Sequence, residues 1–294
     1  MVPSGNVLAT LVHLFGTVLG CLPLRLQLLL GDLLGVTAWL LLRRRRSITR
    51  HNLGIAFPDL PPSELDTLVR RHFQHLGRSM IEMFSLPALR SEKRRARKIT
   101  FIGFEKVDAA LASGRGAMVL TAHMGNWEIM TTIAALGYDF SALFKPQRNI
   151  ADDIMTALRT ACGLKVFSRH EGLRGVIRAA REAKLVGILA DQGGTETFPF
   201  FGRPAVFPPG AAAFAVRHGL APFPIFGIRG PDGRVEIRVG DPVEPRTDLP
   251  PEEAKADFQK RYIGVLEAAI RENPEQYFWV HDIWHDFKRR KPSA

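Results

Sequence analysis

The sequence predicts an α/β protein: a mainly parallel sheet flanked by helices, with an N-terminal hydrophobic helical membrane anchor. Three observations carry this. From Ile99 onward, short β-type runs alternate with helical segments, the order that βαβ crossovers produce. A dense apolar stretch, Val7 to Leu42, ends abruptly at Arg43-Arg44-Arg45-Arg46. The 294 residues are 46% hydrophobic and 23% charged, which suits one large domain or two small ones and excludes disorder throughout.

A cleaved signal peptide carries its positive charge before the apolar region, whereas here the charge follows it, so the segment reads as a retained anchor. Pro23 and Arg25 split it into Val7–Leu22 and Leu26–Leu42, each a little short of the roughly 20 residues a spanning helix needs. Two interfacial or re-entrant helices therefore compete with one tilted span, and a buried helical hairpin is the third reading. The arginines place the following chain on the cytoplasmic side and divide an anchoring segment, 1–46, from a domain, 47–294.

Lys and Arg total 40 against 29 Asp and Glu, a net charge of +11 that favours phosphate-bearing or acidic partners. These basic residues crowd beside the apolar segment and near the C-terminus. They are not interleaved with aromatics as a stacking platform, which points to a membrane and away from nucleic acid. The two cysteines, Cys21 and Cys162, form no C-x-x-C, so a disulfide scaffold and a thiolate zinc site are disfavoured.

A linker-like stretch, Asn52 to Pro62, precedes a helix that starts near Ser63 and Asp66. Leu65, Leu68, Val69, His72, Phe73, Leu76, Met80, Met83 and Phe84 give this helix one apolar stripe until Pro87. The basic cluster Lys93, Arg94, Arg95, Arg97 and Lys98 reads as a solvated face, with a phosphate-headgroup contact as the competing reading. Strands are expected at Ala117–Ala122, Phe140–Phe144, Leu164–Phe167 and Leu185–Ala190, with helices at Asn126–Leu136, Ile150–Ala161 and Leu173–Ala183. Ala221–Ile228 and Arg234–Val239, joined through Gly230-Pro231-Asp232-Gly233, read as an added antiparallel hairpin. A helix from Glu252 to Glu272 and an aromatic tail close the chain.

His123 stands where the strand Met118–Ala122 runs out, the place where sheets of this type bind ligands. Glu128 follows five positions later, after a turn that Gly125 permits, so the pair could form a general base and its orienting carboxylate. Roughly one such pairing is expected by chance among nine histidines, and His281 with Asp286 is another. The strand-to-helix junction distinguishes His123, because His281 lies in the aromatic, helical-looking tail.

The stretch Thr121-Ala122-His123-Met124-Gly125-Asn126-Trp127-Glu128 resembles the H-x4-[DE] signature of glycerolipid acyltransferases. More narrowly it resembles the bacterial lipid A late acyltransferases, the lauroyl/myristoyl transferases, to which phosphatidylinositol mannoside acyltransferases are related. Further blocks agree in order: Asn52-Leu53 with Ala56-Phe57-Pro58, Lys145-Pro146 with Asn149, Arg159 before Gly163, Asp191-Gln192, Phe200-Phe201-Gly202, and Gly210 before an alanine-rich helix. The resemblance covers nearly the whole chain. It implies a glycerolipid-acyltransferase-like fold and acyl transfer from a thioester, on acyl carrier protein or coenzyme A, to a lipid hydroxyl at the inner membrane, with no metal or redox cofactor.

By that resemblance His123 deprotonates the acceptor hydroxyl and Glu128 orients it. Arg159, or backbone N–H groups around Gly125 and Asn126, would stabilise the oxyanion. A helix-surface charge is the competing reading of Arg159. Asp191 and Gln192 are assigned to shaping the acceptor site, and Arg203 to a phosphate of a lipid A precursor. The E-G-T-R-like block of glycerol-phosphate transferases is missing, with only Gly193-Gly194-Thr195-Glu196 superficially like it. Two rival classes are a metal-dependent hydrolase using His281 and His285 on one helical face, and a noncatalytic lipid- or nucleic-acid-binding protein.

Overall fold

The computed structural model describes residues 7–143, 150–167 and 172–287. The apolar N-terminal stretch breaks at Pro23 into α1 (Val7–Cys21) and α2 (Leu24–Leu41). The arginine run opens α3 (Arg43–Ala56), and the predicted striped helix is α4 (Pro62–Phe84). The linker expected from Asn52 is therefore helical as far as Ala56. Asn52 is buried and its Nδ2 donates to the carbonyls of Trp279 (2.8 Å) and His281 (2.7 Å), a use that its polar neighbours in sequence do not reveal.

Short helices α5 (Leu86–Leu89) and α6 (Glu92–Ala96) lead to strand β1 (Ile99–Ile102). The basic cluster on α6 and the turn after it is not wholly a solvated face: Arg95 and Lys98 are buried. Arg95 donates to the carbonyls of Leu89 (3.2 Å) and Arg90 (3.3 Å), and Lys98 to Gln27 Oε1 (2.7 Å) and Gly20 O (3.3 Å). Both satisfy groups that the ends of helices α1 and α5 leave open.

The remaining elements are α7 (Glu105–Ala112), β2 (Ala117–Thr121), a 3₁₀ helix (Glu128–Leu136), β3 (Phe140–Leu143), α8 (Ile150–Thr160), β4 (Lys165–Phe167), α9 (Gly172–Arg181) and β5 (Leu185–Leu189). After them come β6 (Glu196–Phe200), β7 (Arg203–Phe207), α10 (Gly210–His218), β8 (Ala221–Arg229), β9 (Val235–Val239), α11 (Pro251–Glu272) and a single 3₁₀ turn (Pro274–Gln276). Phe144 and the block Lys145, Pro146 and Asn149 lie outside the described residues.

Seven strands form one sheet in the order β1-β9-β8-β2-β5-β3-β4. Every pairing is parallel except the β8–β9 hairpin, which forms as its Gly-Pro-Asp-Gly turn predicts. Strand β2 is buried at all five positions, as a central parallel strand covered on both faces must be. Its side chains alternate: Met118 and Leu120 join a core with α4, α9, α10 and α11, while Ala117 and Val119 join one with α5, α7 and the 3₁₀ helix. A separate hairpin, β6–β7, turns at Phe201 (φ 48°) and Gly202 (φ 73°), both left-handed as a tight two-residue hairpin loop requires.

Candidate active site

Strands β2 and β5 are neighbours, with Thr121 opposite Leu189. Two residues beyond these partners stand His123 and Asp191, so the parallel register brings them side by side at the carboxyl edge of the sheet. Asp191 Oδ2 accepts from the His123 backbone N–H (3.0 Å), and Oδ1 lies 2.9 Å from His123 Nδ1. With the carboxylate accepting, the proton sits on Nδ1 and Nε2 is the acceptor nitrogen of the neutral ring. The Tyr277 hydroxyl donates to Asp191 Oδ2 at 3.1 Å. The Asp191 side chain is wholly buried, while the imidazole keeps 23% exposure, which leaves it reachable by a substrate.

Burial by itself lowers the basicity of His123. The charge and hydrogen bond of Asp191, with the charge of Glu128, outweigh that and raise its pKa above 6.5. The ring is framed by Trp127 (centroids 5.1 Å apart) and stacked on Phe278 (5.7 Å).

Glu128 opens the 3₁₀ helix beside this cluster, and its hydrogen-bond partners are different from those the sequence reading gives it. Arg159 of α8 holds both its oxygens, Nε to Oε2 at 2.8 Å and a terminal nitrogen to Oε1 at 2.5 Å, and Trp127 Nε1 donates to Oε1 at 3.1 Å. Among the described residues the carboxylate hydrogen-bonded to His123 is Asp191, and Glu128 reaches the imidazole through its charge. Arg159 is thus drawn into the site, partly buried with 16% of its side chain exposed, rather than spread on a helix surface.

The turn between His123 and Glu128 has its own foundations. Gly125 has φ +62°, and a Cβ there would lie 2.1 Å from the carbonyl oxygen of Gly227. Its N–H donates to Gln276 O (2.8 Å) and that of Asn126 to Gly227 O (2.8 Å). These two backbone donors, expected above as oxyanion candidates, are therefore consumed within the fold. The Asn126 side chain is consumed as well, donating to Glu82 Oε2 at 2.6 Å and accepting from the Ile129 N–H at 3.2 Å. Glu82 also takes two hydrogen bonds from Arg229 (2.5 and 2.6 Å) in a pair with 5% and 3% exposure. His75, kept neutral by burial and by the nearby Arg229, donates Nε2–H to Gly125 O at 3.1 Å.

Gln192 follows Asp191 into a groove of mixed polar and apolar lining shared with Arg45, Phe207, Tyr277 and His281, and its buried Nε2 has no partner among the described residues. Arg203 is engaged elsewhere, in a two-pronged pair with Asp286 (2.8 and 2.9 Å) that His51 also joins (2.6 Å). On the other side of Glu128 an apolar recess is lined by Val119, Trp127, Met130, Phe140, Ala142, Leu164 and Ile188.

His281 and His285 are not on a helix: the tail runs as turns and extended chain, and His285 has φ +60°. Among the described residues no three His, Cys, Asp or Glu side chains are placed to hold a metal ion together. The tail instead pairs with the site, Phe278 N–H donating to His123 O at 2.9 Å. Tyr277, Phe278, Glu82 and Arg229 were thus missed as site residues; the aromatic density of the tail was the one sequence signal available.

The chain matches the family model "Bacterial lipid A biosynthesis acyltransferase" over residues 4–286. It is 25% identical over 266 residues to the lipid A biosynthesis palmitoleoyltransferase of Escherichia coli K12, covering 88% of this chain and 85% of that protein. It is also 25% identical over 264 residues to the lipid A biosynthesis lauroyltransferase of the same organism, covering 86% and 83%. A phosphatidylinositol mannoside acyltransferase of Mycobacterium tuberculosis is 27% identical over 186 residues, 60% of this chain and 58% of that protein. With the match running through both N-terminal helices, the His123–Glu128 turn, Asp191 and the tail that closes on them, the chain belongs to the bacterial lipid A biosynthesis acyltransferase family and is an O-acyltransferase.

Proposed function

We propose that the protein moves a fatty acyl chain from a thioester, on acyl carrier protein or coenzyme A, to a hydroxyl of a lipid A precursor. His123 is the general base, with Glu128 as its catalytic partner. His123 Nε2 takes the hydroxyl proton, the alkoxide attacks the thioester carbonyl, and the tetrahedral intermediate expels the thiolate, which recovers the proton from the imidazolium. Asp191 fixes the tautomer and stabilises the imidazolium. Glu128 adds its charge and holds Arg159, which donates to the oxyanion. The apolar recess behind Glu128 receives the acyl carbons next to the thioester, being too short as it stands for a whole fatty chain, and the groove with Gln192 receives the acceptor. Arg203 meets an acceptor phosphate only by exchanging its Asp286 partner for it.

One observation carries this reading: a solvent-reachable imidazole whose Nδ1 is tied to a buried carboxylate at the carboxyl end of a central parallel strand. The residues 1–46 act as the membrane-anchoring segment and 47–294 as the acyltransferase domain, on the cytoplasmic face of the bacterial inner membrane. The likeness to a phosphatidylinositol mannoside acyltransferase favours another glycolipid as the second acceptor reading.

Mass spectrometry of membrane lipids with and without the gene tests the assignment. Loss of one acyl chain from lipid A is the expected result, and unchanged lipid A with another glycolipid altered would select the second reading. Transfer from labelled acyl carrier protein against labelled coenzyme A thioester identifies the donor.

A further inference from the structure

We infer that α1 and α2 lie in the plane of the bilayer surface, as a two-helix seat, and that neither crosses it; this deepens the membrane role proposed above and rests on that reading. By length and composition α2 is long and apolar enough to span. Its packing forbids it. A Cβ on Gly31 would sit 2.5 Å from Arg78 Cα, one on Gly35 2.3 Å from Phe73 O, and one on Gly77 2.1 Å from Gly31 O. Helices α2 and α4 thus touch backbone to backbone. Asp32, at the midpoint of α2, binds Arg78 through both oxygens, at 2.6 and 2.8 Å. A spanning α2 would carry this pair into the hydrocarbon centre, where charged side chains are costly, and would draw Arg70 of α4, which lies over Trp39, in behind it.

Helix α1 is held the same way. A Cβ on Gly16 would lie 2.2 Å from Phe84 O, and one on Gly20 2.2 Å from Ala88 Cβ. The opposite faces are bare: Leu14, Phe15 and Val18 of α1 and Leu29, Leu33 and Leu40 of α2 are each more than half exposed. Glycine faces inward and leucine outward in both helices, the pattern of an interfacial hairpin.

The occupant of this face is an anionic bilayer rather than a second copy of the chain. Exposed arginines, Arg25 beside the hairpin turn and Arg43 and Arg44 at the end of α2, flank the leucines where phosphate headgroups would lie. An apolar groove between α2 and α4 has partly exposed Leu34, Leu42 and Met80 on its walls, and includes Phe278, the ring stacked on His123. The seat therefore presents the site to lipids that stay in the leaflet.

The test places one fluorescent label at a time on Leu26→Cys, Leu33→Cys or Leu40→Cys, in a Cys21→Ser full chain bound to phosphatidylethanolamine/phosphatidylglycerol vesicles. Quenching by lipids brominated near the headgroup or deep in the tails reads depth. Leu26 and Leu40 are about 21 Å apart along the helix. The inference predicts one shallow depth at all three positions. Leu33 deepest with Leu26 and Leu40 shallow, all three deep, or no quenching at any, overturns it; in the last case sedimentation as a dimer would identify a second copy as the cover. The readout needs no turnover, so a chain that seats flat but transfers no acyl group leaves this inference standing and removes the activity proposed above.

Discussion

Asp191 sets the basicity of His123, so its removal has two separable consequences. Asp191→Asn should lower kcat/KM by about 10²- to 10⁴-fold. It should also move the acid limb of the pH profile to lower pH, because the raised imidazole pKa loses its main supporting charge. A pH–rate profile of folded variant and wild type checks both, and an unmoved limb would assign that limb to another group. Gly125→Ala should cost at least about 1–3 kcal/mol, since φ +62° and the Gly227 carbonyl together leave no place for a methyl group; urea unfolding reads this directly. At this scale the sequence was informative about identities and less so about partnerships. His123 and Asp191 were both visible as polar residues ending apolar strands. Their hydrogen bond depends on β2 pairing directly with β5, although β3 and β4 come between them in sequence, and no local pattern encodes that non-local pairing.

Between elements, the site turn is clamped by a buried ion pair. Glu82 of α4 holds Arg229 of β8 and Asn126 of the turn. Glu82→Gln strands the Arg229 charge and should destabilise the protein by about 3–5 kcal/mol. The double change Glu82→Met with Arg229→Met should recover much of that stability while transfer stays slow, because Asn126 has lost its acceptor. Denaturation midpoints of the two variants, with their rates, separate stability from positioning. Element order was largely legible, since the strands and helices from Ala117 to Glu272 announce themselves by periodicity. Helix α3 was obscured by the prolines that follow it. The β6–β7 hairpin was missed because Pro199 and Pro204 interrupt its alternation and its turn residue Phe201 is not one that favours φ > 0.

At the scale of the whole molecule, pH stability should be governed by α4 histidines facing the core. Burial lowers the pKa of His72 from 6.5 to about 4 and drives His75 down too. A depressed histidine contributes stability that is complete above pH 6.5 and lost as pH falls toward 4, worth about 3 kcal/mol for His72. His123, with its raised pKa, works oppositely, its contribution being full below pH 6.5 and lost on going through the higher value. Stability should therefore drop between pH 6.5 and 4, with a smaller drop in His72→Gln, as urea titrations at each pH would reveal. The fold thus supports one imidazole that gains a proton readily and, on α4, two that refuse it. Whether His123 is the base is decided by the initial rate of acyl transfer in His123→Ala, with native circular dichroism confirming its fold. Transfer should fall by at least about 10²–10⁴-fold at every pH; a folded variant turning over at the wild-type rate would mean that another group takes the proton.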